Sequence, residues 1–251
     1  MQHDFEKIKK FILRPYCPLI INFLNEFSTN IRKHKDFKKF PDLYFLSLWT
    51  SKREIEKKIE YYLDKNFRLG RGLVFHVTPS NLPLNFAYSF FIGLLSGNSN
   101  IVKLPKKNFK EVEIVLDIIN DLFKKKKFKS LKISNYFFNI NDNSEIYKQV
   151  SLISDARMLW GGDNTINKFR KMEIPERCLD ITFSDRYSIA VINSNNFVNL
   201  SNKDIEKMSK KFFYDSYLSN QMACNSPHFV FWIGEKSLSS QKKFWDNVKK
   251  I

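Results

Sequence analysis

The amino-acid sequence predicts an α/β fold in which a mostly parallel sheet follows a helical N-terminal region. Three observations carry that expectation. Short apolar runs of strand length alternate with amphipathic runs of helix length between Leu73 and Ile192. The spacing leaves a helical crossover between successive strands, as parallel strands require. Finally, Gly 7 and Pro 8 in 251 residues are too few for long irregular linkers.

Residues 1–66 read as helical, with apolar positions at helical spacing in Phe11-Ile12, Pro18 to Phe27 and Ile55 to Leu63, cut by Pro15, Pro18 and Pro41. The Arg68 to Gly72 turn leads into an apolar strand, Leu73 to Val77, then a Pro-Ser-Asn-Leu-Pro turn and an apolar helix ending at Gly97. A second strand, Asn100 to Leu104, runs into Pro105. Glu111 to Phe128 is an amphipathic helix whose Val112, Val115, Leu116, Ile119, Leu122 and Phe123 share a face. A strand is expected near Leu131 to Ile140, then a helix from Asn143 to Ser151, a strand Ala156 to Trp160 and a helix Asp163 to Met172. Two further strands follow, Leu179 to Phe183 and Tyr187 to Ile192. The polar stretch Asn193 to Asn202 reads as a domain boundary, followed by a helix Lys203 to Leu218, a strand His228 to Ile233 and a helix from Leu238. The domains expected are a helical N-terminal region (1–66), an α/β domain (67–195) and the beginning of a further domain (196–251). In a sheet of this kind ligands lie at the carboxyl ends of the strands. The loops at Thr78 to Asn81, Lys103 to Lys106 and Trp160 to Asp163 are therefore expected to converge there.

Composition narrows the function classes. The longest apolar run, Leu82 to Leu95, is interrupted by Asn85, Tyr88 and Ser89 and is too short to span a bilayer. Met1 to Glu6 lacks the apolar centre of a signal peptide, so the expected compartment is the cytoplasm. Three widely spaced cysteines, Cys17, Cys178 and Cys224, argue against a disulfide framework or a zinc site, and no metal is expected. The net charge of +16 invites a nucleic-acid reading. However, the lysines fall in short runs at helix ends and polar faces, so no nucleic-acid partner is assigned. The same field favours a smaller polyphosphate ligand. The sequence contains no Gly-x-Gly-x-x-Gly, so a dinucleotide would be held in another way.

Four segments carry a family resemblance. Pro79-Ser80-Asn81-Leu82-Pro83 resembles the Pro-Trp-Asn-Phe-Pro segment of the aldehyde dehydrogenase superfamily, and Gly97-Asn98 with Lys103 its Gly-Asn-x-x-x-x-Lys. Leu159-Trp160-Gly161-Gly162-Asp163 falls where that superfamily has Phe-Thr-Gly-Ser, and is similar to the Trp-Gly-Gly-Asp of its long-chain acyl-CoA reductase branch, the fatty acid reductases of bacterial bioluminescence. Gln221-Met222-Ala223-Cys224-Asn225-Ser226-Pro227 resembles that branch's nucleophile segment, and Arg177-Cys178 through Asp185 to Val191 the stretch leading to it.

The resemblance implies an aldehyde-dehydrogenase-like fold with a Rossmann-type sheet. It also implies NADPH-dependent reduction of a long-chain fatty acyl-CoA, or of an acyl-protein donor, to the aldehyde. Cys224 would be the thiol that carries the acyl group, since a thiolate both attacks and leaves readily. Asn81, with the backbone N–H of Cys224, would hold the oxyanion. Thr78, Pro79, Ser80, Trp160, Gly161 and Gly162 would line the cofactor, and Lys103 would contact the adenosine ribose. Lys106 stands where NAD-preferring relatives often carry Glu, and an ammonium there attracts a 2′-phosphate. His228 and Cys178 read as packing residues.

Two departures accompany the likeness. The superfamily's Glu-Leu-Gly-Gly glutamate has no counterpart in Ile181 to Asp185, which disfavours hydrolysis of a thioester relative to its reduction. Family members also continue well beyond the nucleophile, so the catalytic domain is expected to be truncated, with the missing half supplied separately or a homo-oligomer formed. A catalytically silent partner subunit and a basic nucleic-acid-binding protein stand as the alternative readings.

Overall fold

Leu73–Val77 (β1) and Ser99–Lys103 (β2) are buried at every position, as expected for the middle of a sheet covered on both faces. They belong to a computed structural model that describes residues 5–62, 67–140, 144–217, 221–235 and 237–251. Residues 1–4, Leu63, the Asn143 expected to begin a helix, and Leu218 to Asn220 lie outside the described residues. The chain divides into two compact units, 1–184 and 185–251.

In the first unit the helices are Pro18–Lys33 (α1), Pro41–Trp49 (α2) and Lys52–Tyr62 (α3), then Asn85–Leu95 (α4), Lys110–Lys124 (α5) and Lys129–Ser134 (α6), and finally Ser144–Ile153 (α7) and Asp163–Arg170 (α8). The remaining strands are Asn135–Phe138 (β3), Ala156–Trp160 (β4) and Leu179–Phe183 (β5). All five strands are parallel, in the order β3-β2-β1-β4-β5. The order reverses beside β1, so the β1–β4 crevice is the switch point of the sheet.

Strand alternation assigns the two faces. Val77, Ile101, Phe138 and Leu159 pack with Tyr147 and Val150 of α7 and Ile166 and Phe169 of α8. On the other face Val102 joins α4 and α5, with α1, α2 and α3 packed around them. The stripe Ile20, Phe23, Leu24, Phe27 and Ile31 explains why α1 belongs there: its i, i+3, i+4 spacing aims every large side chain inward. Pro18 and Pro41 open α1 and α2, where a missing N–H is harmless.

One expected strand differs. The run from Leu131 is divided between α6 and β3. The Ser134 hydroxyl donates to the Leu131 carbonyl, three residues back, at 3.2 Å, and Asn135 donates to the same carbonyl at 2.7 Å. These side chains satisfy the carbonyl of a closing helical turn, which delays the extended segment until Asn135.

Arg157 of β4 is fully buried, yet its guanidinium is paired with both carboxylate oxygens of Asp180 on β5, each at 2.7 Å, and with the Ser151 hydroxyl at 3.2 Å. This bidentate pair ties the edge strand to the sheet.

The second unit contains Ser188–Asn193 (β6), Ser194–Phe197 (α9), Asn202–Tyr217 (α10), Pro227–Ile233 (β7) and Ser237–Val248 (α11). β6 pairs with β7 in parallel, and not with the five-stranded sheet, so the boundary between compact units falls before β6. One side of this pair rests on α9, α10 and α11 through Phe197, Ile205, Phe244 and Val248, with Trp232 and Trp245 packed against them. The other side carries Ile189, Val191, Phe229, Phe231 and Ile233, all exposed. The polar stretch read as a boundary begins with α9, because the Asn193 side chain accepts from the backbone N–H groups of Asn195 and Asn196 at 3.0 and 3.1 Å.

Candidate active site

The carboxyl ends of β1, β2 and β4 are brought side by side, since Val77 pairs with both Lys103 and Leu159. Thr78, buried, donates its hydroxyl to the Lys103 carbonyl at 2.6 Å and so fixes the exit of β1 against the end of β2. The Lys103 side chain is almost wholly buried, and its ammonium lies 3.5 Å from the Leu104 carbonyl. Pro79, Ser80, Trp160, Gly161 and Gly162 are half-buried, whereas Asn81 and Lys106 are exposed on the loops that leave β1 and β2. Gly161 donates its N–H to the Phe183 carbonyl at 3.2 Å, and Gly162 supplies the carbonyl that starts α8.

Gly97 and Asn98 have a structural job. Gly97 sits at φ 81, and a Cβ there would lie 2.1 Å from the Leu13 carbonyl oxygen. The Asn98 side-chain oxygen accepts from the backbone N–H of Arg71 at 2.6 Å and of Gly72 at 3.2 Å, which sets the entry into β1.

Sequence reasoning did not find a buried polar chain on the α4 face of the sheet. The Trp160 indole N–H lies 3.1 Å from the Ser89 hydroxyl, which lies 2.8 Å from His76 Nδ1. His76 Nε2 is 2.8 Å from Asn100 Oδ1, and the Asn100 amide donates to Asn135 Oδ1 at 2.7 Å and to the Asn98 carbonyl at 3.0 Å. Because the Asn100 amide nitrogen is already donating, its oxygen must accept from His76, which puts the imidazole proton on Nε2. Nδ1 then accepts the Ser89 proton, and the Ser89 oxygen accepts from Trp160. Met158 Sδ, 3.0 Å from the same hydroxyl, is the weaker acceptor and is left as a contact. Burial pushes the His76 imidazolium down to about 4, against a raising contribution from its bond to Asn100. A signal was present in the sequence: a histidine inside the otherwise apolar strand Leu73–Val77, and a serine and a glycine in the largely apolar helix that follows it.

In the second unit, Cys224 is exposed on the segment before β7. Its carbonyl accepts the Ser188 hydroxyl at 2.7 Å. Two residues on, Ser226 is buried, with its N–H on the Ala223 carbonyl at 3.0 Å and its hydroxyl on the Asp215 carbonyl at 2.8 Å. The thiol is thus presented on a short loop pinned on both sides, with Gln221 in the left-handed region at φ 59. The His228 ring packs against Tyr187, with centroids 4.8 Å apart. Cys178 is half-buried, and burial pushes its thiol up, partly offset by Arg157. Among the described residues there is no group of three His, Cys, Asp or Glu side chains able to hold a metal ion, and no helix long and apolar enough to cross a membrane.

Comparison with known proteins bears on this arrangement. The family model for acyl-CoA reductase (LuxC) matches residues 53–242. The chain belongs to the acyl-CoA reductase (LuxC) family. It is similar to long-chain acyl-protein thioester reductase 2 of Photobacterium leiognathi, 23% identical over 167 residues, which are 66% of this chain and 33% of that protein. Among solved structures it is similar to an aldehyde dehydrogenase from Bartonella henselae, with a TM-score of 0.63 and 14% identity over 92% of this chain and 51% of the other. It is also similar to a betaine aldehyde dehydrogenase from Staphylococcus aureus solved with NAD+, with a TM-score of 0.62, 14% identity, and coverage of 92% and 49%. The fold of this LuxC-family chain is therefore aldehyde-dehydrogenase-like. The chain spans about a third of the length of the curated relative and about half that of these solved structures.

Proposed function

We propose that this chain takes part in NADPH-dependent reduction of a long-chain acyl thioester, from coenzyme A or an acyl-protein donor, to the fatty aldehyde, with Cys224 as the acyl carrier. The observation that carries the reading is Cys224 itself, an exposed thiol on a loop fixed by Ser188 and Ser226 within the LuxC-family match. Its thiolate attacks the acyl carbonyl, the donor thiol leaves, and the acyl group stays on Sγ as a thioester. The Asn81 amide donates to the oxyanion of the tetrahedral intermediate, an interaction of about 3 kcal/mol by analogy with other such donors. When the aldehyde is released, Cys224 departs as thiolate.

A dinucleotide is supported by the chemistry of the strand ends. Parallel strands with a switch point at the β1–β4 crevice, a Ser80 hydroxyl, the half-buried indole of Trp160, and Lys103 and Lys106 on β2 and its exit suit a phosphate-bearing aromatic ligand. Thr78, Pro79, Ser80, Trp160, Gly161 and Gly162 would line it, Lys103 would contact its ribose and Lys106 its 2′-phosphate. Bound NADPH supplies the hydride. The cofactor role is assigned to 67–195 and the acyl-carrying role to 196–251. A cytoplasmic location suits these ligands.

The test is incubation with a mass-tagged long-chain acyl-CoA followed by peptide mapping. Cys224 should be acylated while Cys17 and Cys178 stay free, and Cys224→Ser should abolish labelling. Folded protein that takes no label on Cys224 would instead support the silent-partner reading.

A further inference from the structure

We propose that Ser89 and His76 are positioning residues that fix the Trp160 indole at the carboxyl end of β4, an inference that rests on the cofactor reading above. Two constraints act on that ring. Phe183 stacks on it at 3.8 Å between centroids and 8° between planes, which sets its plane but leaves it able to slide and spin. The Ser89 hydroxyl, 3.1 Å from the indole nitrogen, removes that remaining freedom.

A serine hydroxyl rotates, so by itself it is a poor anchor. Here its proton is committed to His76 Nδ1, and His76 is held at its far side by Asn100, which Asn135 and the Asn98 carbonyl hold in turn. Each donor in the chain has an acceptor, and the path crosses from β4 through α4 to β1, β2 and β3. Such a fully paired buried chain has one low-energy arrangement, because breaking any link strands a buried polar atom.

The chain also explains the glycine in an otherwise apolar helix. A Cβ on Gly93 would lie 2.0 Å from Asn100 Oδ1 and 3.0 Å from His76 Nε2. Only glycine lets α4 lie over the imidazole–amide pair. The bulk of α4 is apolar packing, yet its Ser89 and Gly93 are both spent on this chain. A polar network whose sole effect was cohesion would have no need to end on a half-buried indole at the rim of the sheet.

The experiment uses the full chain with 15N-labelled tryptophan, the Trp160 indole resonance being assigned by its loss in Trp160→Phe. Exchange of the indole N–H with solvent is read in wild type, Ser89→Ala and the two His76 variants below, and the NADPH dissociation constant in wild type, Ser89→Ala, Trp160→Phe and the double variant. Ser89→Ala should speed indole exchange and weaken NADPH about fivefold, the loss expected for one hydrogen bond. In the Trp160→Phe background the same substitution should change NADPH binding no further, since its effect passes through the indole. His76→Gln, which keeps a donor and an acceptor, should retain slow exchange, and His76→Leu should lose it. Unchanged exchange in Ser89→Ala, or additive losses in the double variant, would overturn the inference. If wild type fails to bind NADPH the cofactor reading falls, and the exchange comparison still decides whether Ser89 and His76 hold the indole.

Discussion

His76 makes the stability of the first unit depend on pH in a way that can be worked out in advance. Its imidazole is fully buried between Ser89 and Asn100, and burial pushes its titration down to about 4. In the unfolded chain the same group titrates at about 6.5. Between those values the unfolded state binds a proton that the folded state refuses. Stability therefore rises with pH across that window, by up to about 1.4 kcal/mol per pH unit. The contribution is fully present above about 6.5, is lost as pH falls toward about 4, and amounts to about 3 kcal/mol in total. The assay is urea denaturation of wild type and His76→Gln at steps from pH 7.5 to 4, followed by circular dichroism. Other titrating groups cancel in the difference between the two proteins. The gap between them should narrow by about 3 kcal/mol on acidification. In the native protein the His76 ring resonance should not titrate near 6.5. A gap that is constant with pH would refute both the burial argument and the assigned neutral tautomer.

Further tests reach other parts of the chain. Asp180→Asn leaves the Arg157 guanidinium buried without a countercharge and should lower unfolding stability by about 3–5 kcal/mol in denaturant titration. Gly97→Ala forces a Cβ against the Leu13 carbonyl at positive φ and should lower it by about 1–3 kcal/mol from backbone strain alone, read from the same titration. Lys106→Glu should reverse the attraction for a 2′-phosphate, weakening NADPH relative to NADH several-fold when the two dissociation constants are compared at low salt. Asn81→Ala should slow aldehyde formation by about a hundredfold or more, read from aldehyde release at saturating acyl donor.

The strands that matter most were readable because they are buried on both faces. Leu-Val-Phe-His-Val is almost continuously apolar, the mark of a central parallel strand, and it became β1. Periodicity also located α1, α5 and α8. It failed at Leu131, where apolar spacing suits either state and the decision rests on the Ser134 and Asn135 side chains closing a helical turn. It was equally silent on the partner of β6, because pairing is a property of distant segments and alternation along one strand does not name its neighbour. For the candidate site, the loops and the cysteine segment were legible as short local motifs. The His76–Ser89–Asn100 chain was not, since its members are 13 and 24 residues apart and become partners only once α4 is laid across the sheet.

The uncovered side of β6 and β7 has a practical consequence for the molecule in solution. Ile189, Val191, Phe229, Phe231 and Ile233 present a contiguous oily surface, and what opposes its contact with other copies is the mutual repulsion of chains carrying +16. That repulsion reaches only about 10 Å at 0.1 M salt and about 3 Å at 1 M. Colloidal behaviour should therefore invert the usual salt habit: dilute buffers keep the protein dispersed, and added salt, which weakens charge without weakening apolar attraction, drives it to cluster through this sheet.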